Sequence, residues 1–271
     1  MSKDWRALNQ ANWDERTPLH LSTYDLRTLR AGRGRLTAIE EAELGPVEGL
    51  RVLHLQCHIG DDTLALAQRG ALMTGIDFSP ASIAAARGLA KELGVEARFV
   101  LSDVYGALDA LPEHGAFDLV YTTWGTTTWL PDIRRWAAVV AAYLRPGGAL
   151  YFADGHPAAF VFDDMAGTDP DGRPGWFAPY FGRQPVVVDS AADYADPAAR
   201  LVNREQVNWI HPVGDVLAAL QDAGLRLDWL REHPRVAWQM FGCLVRDLDG
   251  MWTWPDKAWL PLAISLRAVR I

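Results

Sequence analysis

Four places in this 271-residue chain carry side chains whose type and order suit recognition of an adenosine. The stretch HLQCHIGDDT (54–63) reads as a tight turn after an apolar run, with Gly60 letting backbone approach a ligand. Asp77 closes the apolar run ALMTGID (71–77), where a carboxylate can accept both hydroxyls of a ribose. Ser102-Asp103-Val104 ends a third run; Asp103 can accept an adenine amino group while the Val104 N–H donates to the ring. The stretch TTWGTTTW (122–129) ends a fourth and can line the amino-acid end of a cofactor. Alone, each acid reads equally as a helix cap or turn residue. Their order along successive strand ends points to an adenosine-type cofactor. The candidate cofactor set is Gln56, His58, Gly60, Asp77, Phe78, Ser102, Asp103, Val104, Thr123 and Trp124.

These residues need a scaffold that presents strand ends side by side. The pattern from residue 51 to 154 supplies it as strand, helix, strand, helix. RVLHLQ (51–56), ALMTGID (71–77), EARFVLSD (96–103), FDLVYTTW (117–124) and ALYFAD (149–154) read as strands. Between them, DTLALAQRG (62–70) stops at Gly70. The next helix starts at an N-cap Ser79 with Pro80 in its first position and ends at Gly94. Ile133, Trp136, Ala137, Val140 and Leu144 mark one face of a helix that RPGG (145–148) ends. Such alternation predicts a mostly parallel sheet with helices on both faces, and ligands beyond its carboxyl ends. A last helix at 212–223 and strands LRLDWLREH (225–233) and LPLAISLRAVRI (260–271) close an α/β, Rossmann-like seven-stranded fold.

The flanks predict a division of labour. Residues 1–46 read as two or three short helices forming a lid, and 47–154 as the cofactor-binding core. Residues 155–211, rich in Pro, Gly, Asp and aromatics, read as a substrate-capping insertion with a small hairpin. Residues 212–271 complete the core.

The net charge of −8 and the lack of a basic stripe argue against nucleic acid and suit a neutral or cationic small molecule. No apolar run approaches the ~20 residues of a membrane span. Cys57 and Cys243, far apart, provide neither a disulfide framework nor metal spacing. The polar start MSKDWRALNQ has no signal-peptide core. The expectation is a cytoplasmic protein without a metal, its association with further copies left open.

At this point the chain resembles the class I S-adenosylmethionine (SAM)-dependent methyltransferases. VLHLQCHIG (52–60) resembles their glycine-rich motif, DFSPASIAAAR (77–87) their acidic-loop motif, and LRPGG (144–148) the turn before their fifth strand. LHLQCHIGDDT, TWLPD (128–132), DGHP (154–157), NWIHPVGDVLAAL (208–220) and LPLAISLRA (260–268) resemble a subgroup acting in specialised metabolism. Some of that subgroup methylate carbon 3 of indoles. The chain departs from the family at His54, where an acid is usual, and at Gln56 and His58, where glycines are usual. The resemblance implies SAM as cofactor, S-adenosylhomocysteine (SAH) as product and a small aromatic acceptor. N- or O-methylation of another small molecule is the alternative, and a non-catalytic SAM-binding regulator the alternative of another class. A nicotinamide dehydrogenase would need G-x-G-x-x-G spacing, which HLQCHIG lacks.

Methyl transfer needs alignment, exclusion of water and, for some acceptors, a base. Tyr24 in the lid and His156 after the fifth strand are the catalytic candidates; packing and loop capping are their plainer roles. Tyr194, in the insertion, reads as packing. Among twelve tryptophans, Trp129, Trp176, Trp209 and Trp238, with Tyr180 and His211, are the candidates for an aromatic acceptor pocket.

Overall fold

The computed structural model describes residues 4–196 and 198–271. Its centre is a seven-stranded sheet. The strands are β1 (Arg51–Leu55), β2 (Leu72–Asp77), β3 (Arg98–Leu101), β4 (Phe117–Thr123), β5 (Leu144–Gly155), β6 (Leu225–His233) and β7 (Ala263–Arg270). Their order across the sheet is β3-β2-β1-β4-β5-β7-β6. The first five are parallel, whereas β7 is antiparallel to both neighbours, β5 and β6. The chain order reverses at β1 and β4, so the loops after these strands open a cleft there.

Helices cover both faces. On one face lie α1 (Trp5–Thr23), α2 (Arg27–Arg30), α3 (Ala38–Glu43), α4 (Asp61–Gln68) and α5 (Pro80–Leu93). On the other lie α6 (Ala107–Ala110), α7 (Ile133–Tyr143) and α8 (Val213–Asp222). Two apolar layers result. Leu53, Leu55, Val120, Trp136, Val140 and Leu266 belong to one; Val52, Ile59, Leu64, Ile83 and Tyr121 belong to the other. Neighbouring residues of β1 and β4 thus enter opposite cores, the period-two alternation of a sheet covered twice. Ser79 caps α5 through Ser82 N, Pro80 stands in the first turn, and Gly94 closes the helix at φ 63°.

The structure departs from the sequence reading in four places. The N-terminal segment does hold three helices, but the first is 19 residues long and continues through Pro18. Its buried residues are Asn9, Asn12, Arg16, Thr17 and His20. That face has helical periodicity but is polar, so a search for apolar periodicity passes over it. The insertion contains two hairpins, Phe162–Thr168 with Pro174–Trp176 and Val186–Asp189 with Glu205–Asn208. Residues 235–253, expected within a simple core completion, add a three-stranded sheet. It packs on Ala159, Trp254 and Leu262 through Val236, Phe241 and Leu244. Finally, RPGG lies inside β5 as a kinked strand start. The pairing with β4 shifts register between Phe117 and Leu119, and Gly147 has φ 77°. Among the described residues, no helix is long and apolar enough to cross a membrane.

Candidate active site

The loop after β1 holds two of the three left-handed non-glycine residues among the described residues. Gln56 (φ 58°), His58 (φ 47°) and Gly60 (φ 76°) are all left-handed. A non-glycine residue there costs about 1–2 kcal/mol, so the side chains at 56 and 58 must be held by partners. Gln56 Nε2 donates to the Thr126 carbonyl at 2.9 Å. The His58 ring contacts Ser82 Oγ at 3.0 Å and His20 Nδ1 at 2.8 Å. Backbone geometry suited to glycine is kept, and the added side chains tie the loop to α5, α1 and the loop after β4. At Gly60 no substitution is accommodated: a Cβ would stand 2.7 Å from Phe99 Cε1 and 2.9 Å from Ala86 Cβ. Gly60→Ala is expected to lower stability by about 2–4 kcal/mol, combining strain and overpacking. The urea unfolding midpoint checks this, and an unchanged midpoint would refute it.

Asp77 sits beside that loop. Its Oδ2 accepts the His58 N–H and its Oδ1 the Ser79 N–H, both at 2.9 Å. Each oxygen retains a lone pair for one hydroxyl of a vicinal diol. Burial raises its carboxyl to about 6, although the Ser79 and His58 amides pull the other way. Asp103 Oδ1 caps the turn at 104–106 through Tyr105 N and Gly106 N, while Oδ2 meets Arg6 of α1 at 3.2 Å. The turn-residue role of Asp103 is therefore realised, with its outer oxygen still half-available. Ser102 Oγ turns back to the Asp103 carbonyl, and Val104 is buried. The Phe78 carbonyl accepts from Gln10 of α1 at 2.7 Å.

The loop after β4 is shaped by Asp154, which the sequence reading left within a motif without a role. Its side chain is wholly buried. It accepts from the amides of Gly125 (2.6 Å), Gly155 (2.7 Å), Thr127 (3.0 Å) and Thr126 (3.1 Å), and from both threonine hydroxyls. This carboxylate turns the chain after Thr123, and Trp124 takes φ 54°. Trp124 Nε1 donates to Glu40 at 2.8 Å, and Tyr121 donates to the same buried carboxylate. Glu40 also closes the capping box of α3 with Thr37. His54, found where an acid is usual, is buried against Tyr121 and hydrogen-bonded to Thr63 at 2.8 Å. Burial pushes it down to about 3, so it is a neutral packing group.

Helix α1 covers these loops. Asn9 exchanges two 2.8 Å hydrogen bonds with Val207 of the second hairpin, and Asp14 accepts from Ser79 Oγ at 2.5 Å. Trp13 lies edge-on to both His58 (5.0 Å) and Trp129 (5.2 Å). Tyr24 stacks on His20 at 4.8 Å and shares a 2.5 Å hydrogen bond with Tyr194. Burial, Tyr194 and the nearby Asp61 and Asp193 push the Tyr24 phenol well above its usual value. Tyr24 at neutral pH is therefore an uncharged hydrogen-bonding group.

The remaining candidates scatter. His156 Nδ1 accepts from Ala158 N at 3.1 Å, and its Nε2 lies 2.9 Å from Glu232 on β6. It caps its own turn, and both partners lie outside α1. Tyr180 accepts the Val213 N–H at the start of α8. His211 donates to the Leu130 carbonyl at 2.7 Å, and Trp209 packs edge-on to Trp5 at 5.6 Å. These two buttress the loop after β4. Trp238 lies against Gly155, where an added Cβ would come within 2.9 Å of it. Trp176 is 78% exposed on the first hairpin, touching Phe162, so the expected group of acceptor-lining tryptophans does not include it in this structure. On a short hairpin, one face of the strand has nothing to pack against.

Comparison with known proteins adds to this geometry. Residues 52–148, about a third of the chain, match the family described as a methyltransferase domain. The chain is 33% identical over 130 residues to a ubiquinone biosynthesis O-methyltransferase of Bordetella avium, covering 47% of this chain and 52% of that protein. It is 39% identical over 101 residues to a trans-aconitate 2-methyltransferase of Delftia acidovorans, covering 36% and 35%. The chain thus spans about half the length, or less, of these curated relatives. A crystal structure described as a putative S-adenosylmethionine-dependent methyltransferase from Listeria monocytogenes superposes with a TM-score of 0.62 at 17% identity, covering 90% of this chain and 98% of that one. Residues 52–148 are thus similar to a methyltransferase domain, and the chain as a whole shares the Rossmann-like fold of the Listeria structure.

Proposed function

We propose that the chain transfers a methyl group from SAM to a small aromatic molecule. The observation that carries this reading is the cradle after β1. Three left-handed residues there adjoin a buried Asp77 with spare acceptor capacity. A further atom supports the fit: Gln56 Oε1 is buried without a hydrogen-bond partner, as a polar atom awaiting a ligand would be. Asp77 would hold the ribose, Asp103 the adenine in exchange for its weak pair with Arg6, and the 56–60 turn with Thr123 the amino-acid end. SAM supplies a methyl group already activated for displacement.

The protein's own contribution is alignment and exclusion of water. Helix α1 acts as the lid, fastened by Asn9, Gln10 and Asp14. Tyr24 and Tyr194 orient the acceptor by hydrogen bonding. No phenolate is available at neutral pH, which favours an acceptor that is nucleophilic without deprotonation. The 3-position of an indole is such a carbon, and C-methylation there is the reading we favour. O-methylation is the second reading, favoured by the likeness to the O-methyltransferase. The experiment is incubation with methyl-labelled SAM and a panel of indoles, phenols and amines, with NMR locating the label. Label on an indole carbon supports the favoured reading; label on oxygen or nitrogen refutes it. Tyr24→Phe should slow turnover about tenfold while leaving SAM affinity unchanged, as for a contact made mainly in the transition state. Equal rates would exclude Tyr24 from the reaction.

A further inference from the structure

A buried polar chain runs from the insertion through the lid into the cofactor loop. Arg16 Nη1 and His20 Nε2 both meet Asp193 Oδ2, at 2.8 and 3.0 Å. His20 Nδ1 lies 2.8 Å from His58 Nε2, and His58 Nδ1 lies 3.0 Å from Ser82 Oγ. Ser82 Oγ lies 2.8 Å from Thr17 Oγ1, which donates to the Trp13 carbonyl at 3.0 Å. His20, Ser82 and Thr17 are buried, as is Asp193.

The protons in this chain can be counted. Thr17 spends its only proton on Trp13, so Ser82 donates to Thr17. Ser82 has then spent its own, so His58 Nδ1–H donates to Ser82. Burial, the largest cause, holds His58 well below its usual value. It is neutral, and its Nε2 is an acceptor. The donor facing it is His20 Nδ1–H. Because His20 Nε2 also faces a carboxylate, both ring nitrogens of His20 carry protons. If His20 were neutral, the chain could be satisfied only by reversing His58 and withdrawing Thr17 from Trp13.

We propose that His20, an imidazolium held by Asp193, is a positioning residue that fastens the lid helix and the insertion to the cofactor loop. The proposal rests on the cofactor reading above. The link reaches the ligand because the residue that His20 grips, His58, also gives its backbone N–H to Asp77. The same grip holds His58 in its left-handed conformation. The charged and titratable groups facing His20 are Asp193 from the insertion, Arg16 and Tyr24 from its own segment, His58 from the cofactor loop, Asp61 from the start of α4, and Tyr194.

Long-range proton–nitrogen NMR of the wild-type protein labelled at histidine, without cofactor, tests the count directly. At pH 7, His20 should show two protonated ring nitrogens and His58 a proton on Nδ1 alone. A neutral His20 facing a proton on His58 Nε2 would overturn the proposal. The functional arm uses SAH as probe. Its affinity should fall by about tenfold or more in Asp193→Asn. In wild type it should fall with rising pH, at the midpoint where NMR sees His20 lose its second proton. Affinity indifferent to that proton would overturn the positioning role. Double protonation in a protein that binds no SAH would instead overturn the cofactor reading beneath it.

Discussion

Replacing Asp77 by alanine is expected to weaken SAM or SAH binding by at least about tenfold. The carboxylate would make two charge-assisted hydrogen bonds to the ribose, each contributing about 1.5–3 kcal/mol. Its orientation is already fixed by the amides of His58 and Ser79. Asp77→Asn, which preserves volume and one acceptor, should fall between alanine and wild type and guards against a misfolded variant. The same residue predicts a pH dependence of two opposite signs. Its folded value is raised to about 6, above that of an unfolded aspartate. The folded state therefore binds the extra proton as pH falls from about 6 towards 4, and this group's destabilising contribution is relieved over that window. If the ionised carboxylate holds the ribose, affinity should fall over the same window. Calorimetry from pH 7.5 to about 5 checks this; affinity independent of pH would remove Asp77 from the ribose contact.

Asp154→Ala is expected to destabilise the fold by about 3–5 kcal/mol, the loss typical when a buried charged hub is removed. Four backbone amides and two hydroxyls converge on its carboxylate. The hydroxyls can find new partners by rotating, but the amides cannot. The loop after β4 should loosen first, carrying Trp124, Trp129 and the partners of Trp209 and His211 with it. Chemical denaturation gives the stability loss, and hydrogen exchange at Gly125–Thr127 locates it. A variant as stable as wild type, with those amides still protected, would show that the carboxylate is not the hub.

The sheet was legible because its strands are nearly continuous apolar runs and its helices have apolar stripes bounded by Ser79, Pro80, Gly94 and Gly224. The loops after these strands were legible as well, since their positions follow from strand ends. The N-terminal segment was read only in part. Helix α1 buries Asn9, Asn12, Arg16 and His20, and no apolar pattern marks a face built to hydrogen-bond across an interface. The Arg16–Asp193–His20–His58 chain joins residues up to 177 positions apart, beyond what local spacing can reveal. Asp154 was visible as an acid ending a strand. That it would draw back the loop after a different strand depends on β4 and β5 being neighbours. Gln56 and His58 are instructive in the other direction: their types suggested lost glycines, yet the backbone retains the glycine conformation with side-chain support.

We propose that the loops after β1, β2 and β3 hold SAM. Calorimetric titration of the wild-type protein with SAH at pH 7.5 tests it most directly, because it needs no knowledge of the acceptor. A single saturable site is expected, its affinity dropping at least about tenfold in Asp77→Ala. No saturable binding by the folded wild-type protein, or equal binding by the Asp77→Ala variant, would contradict it.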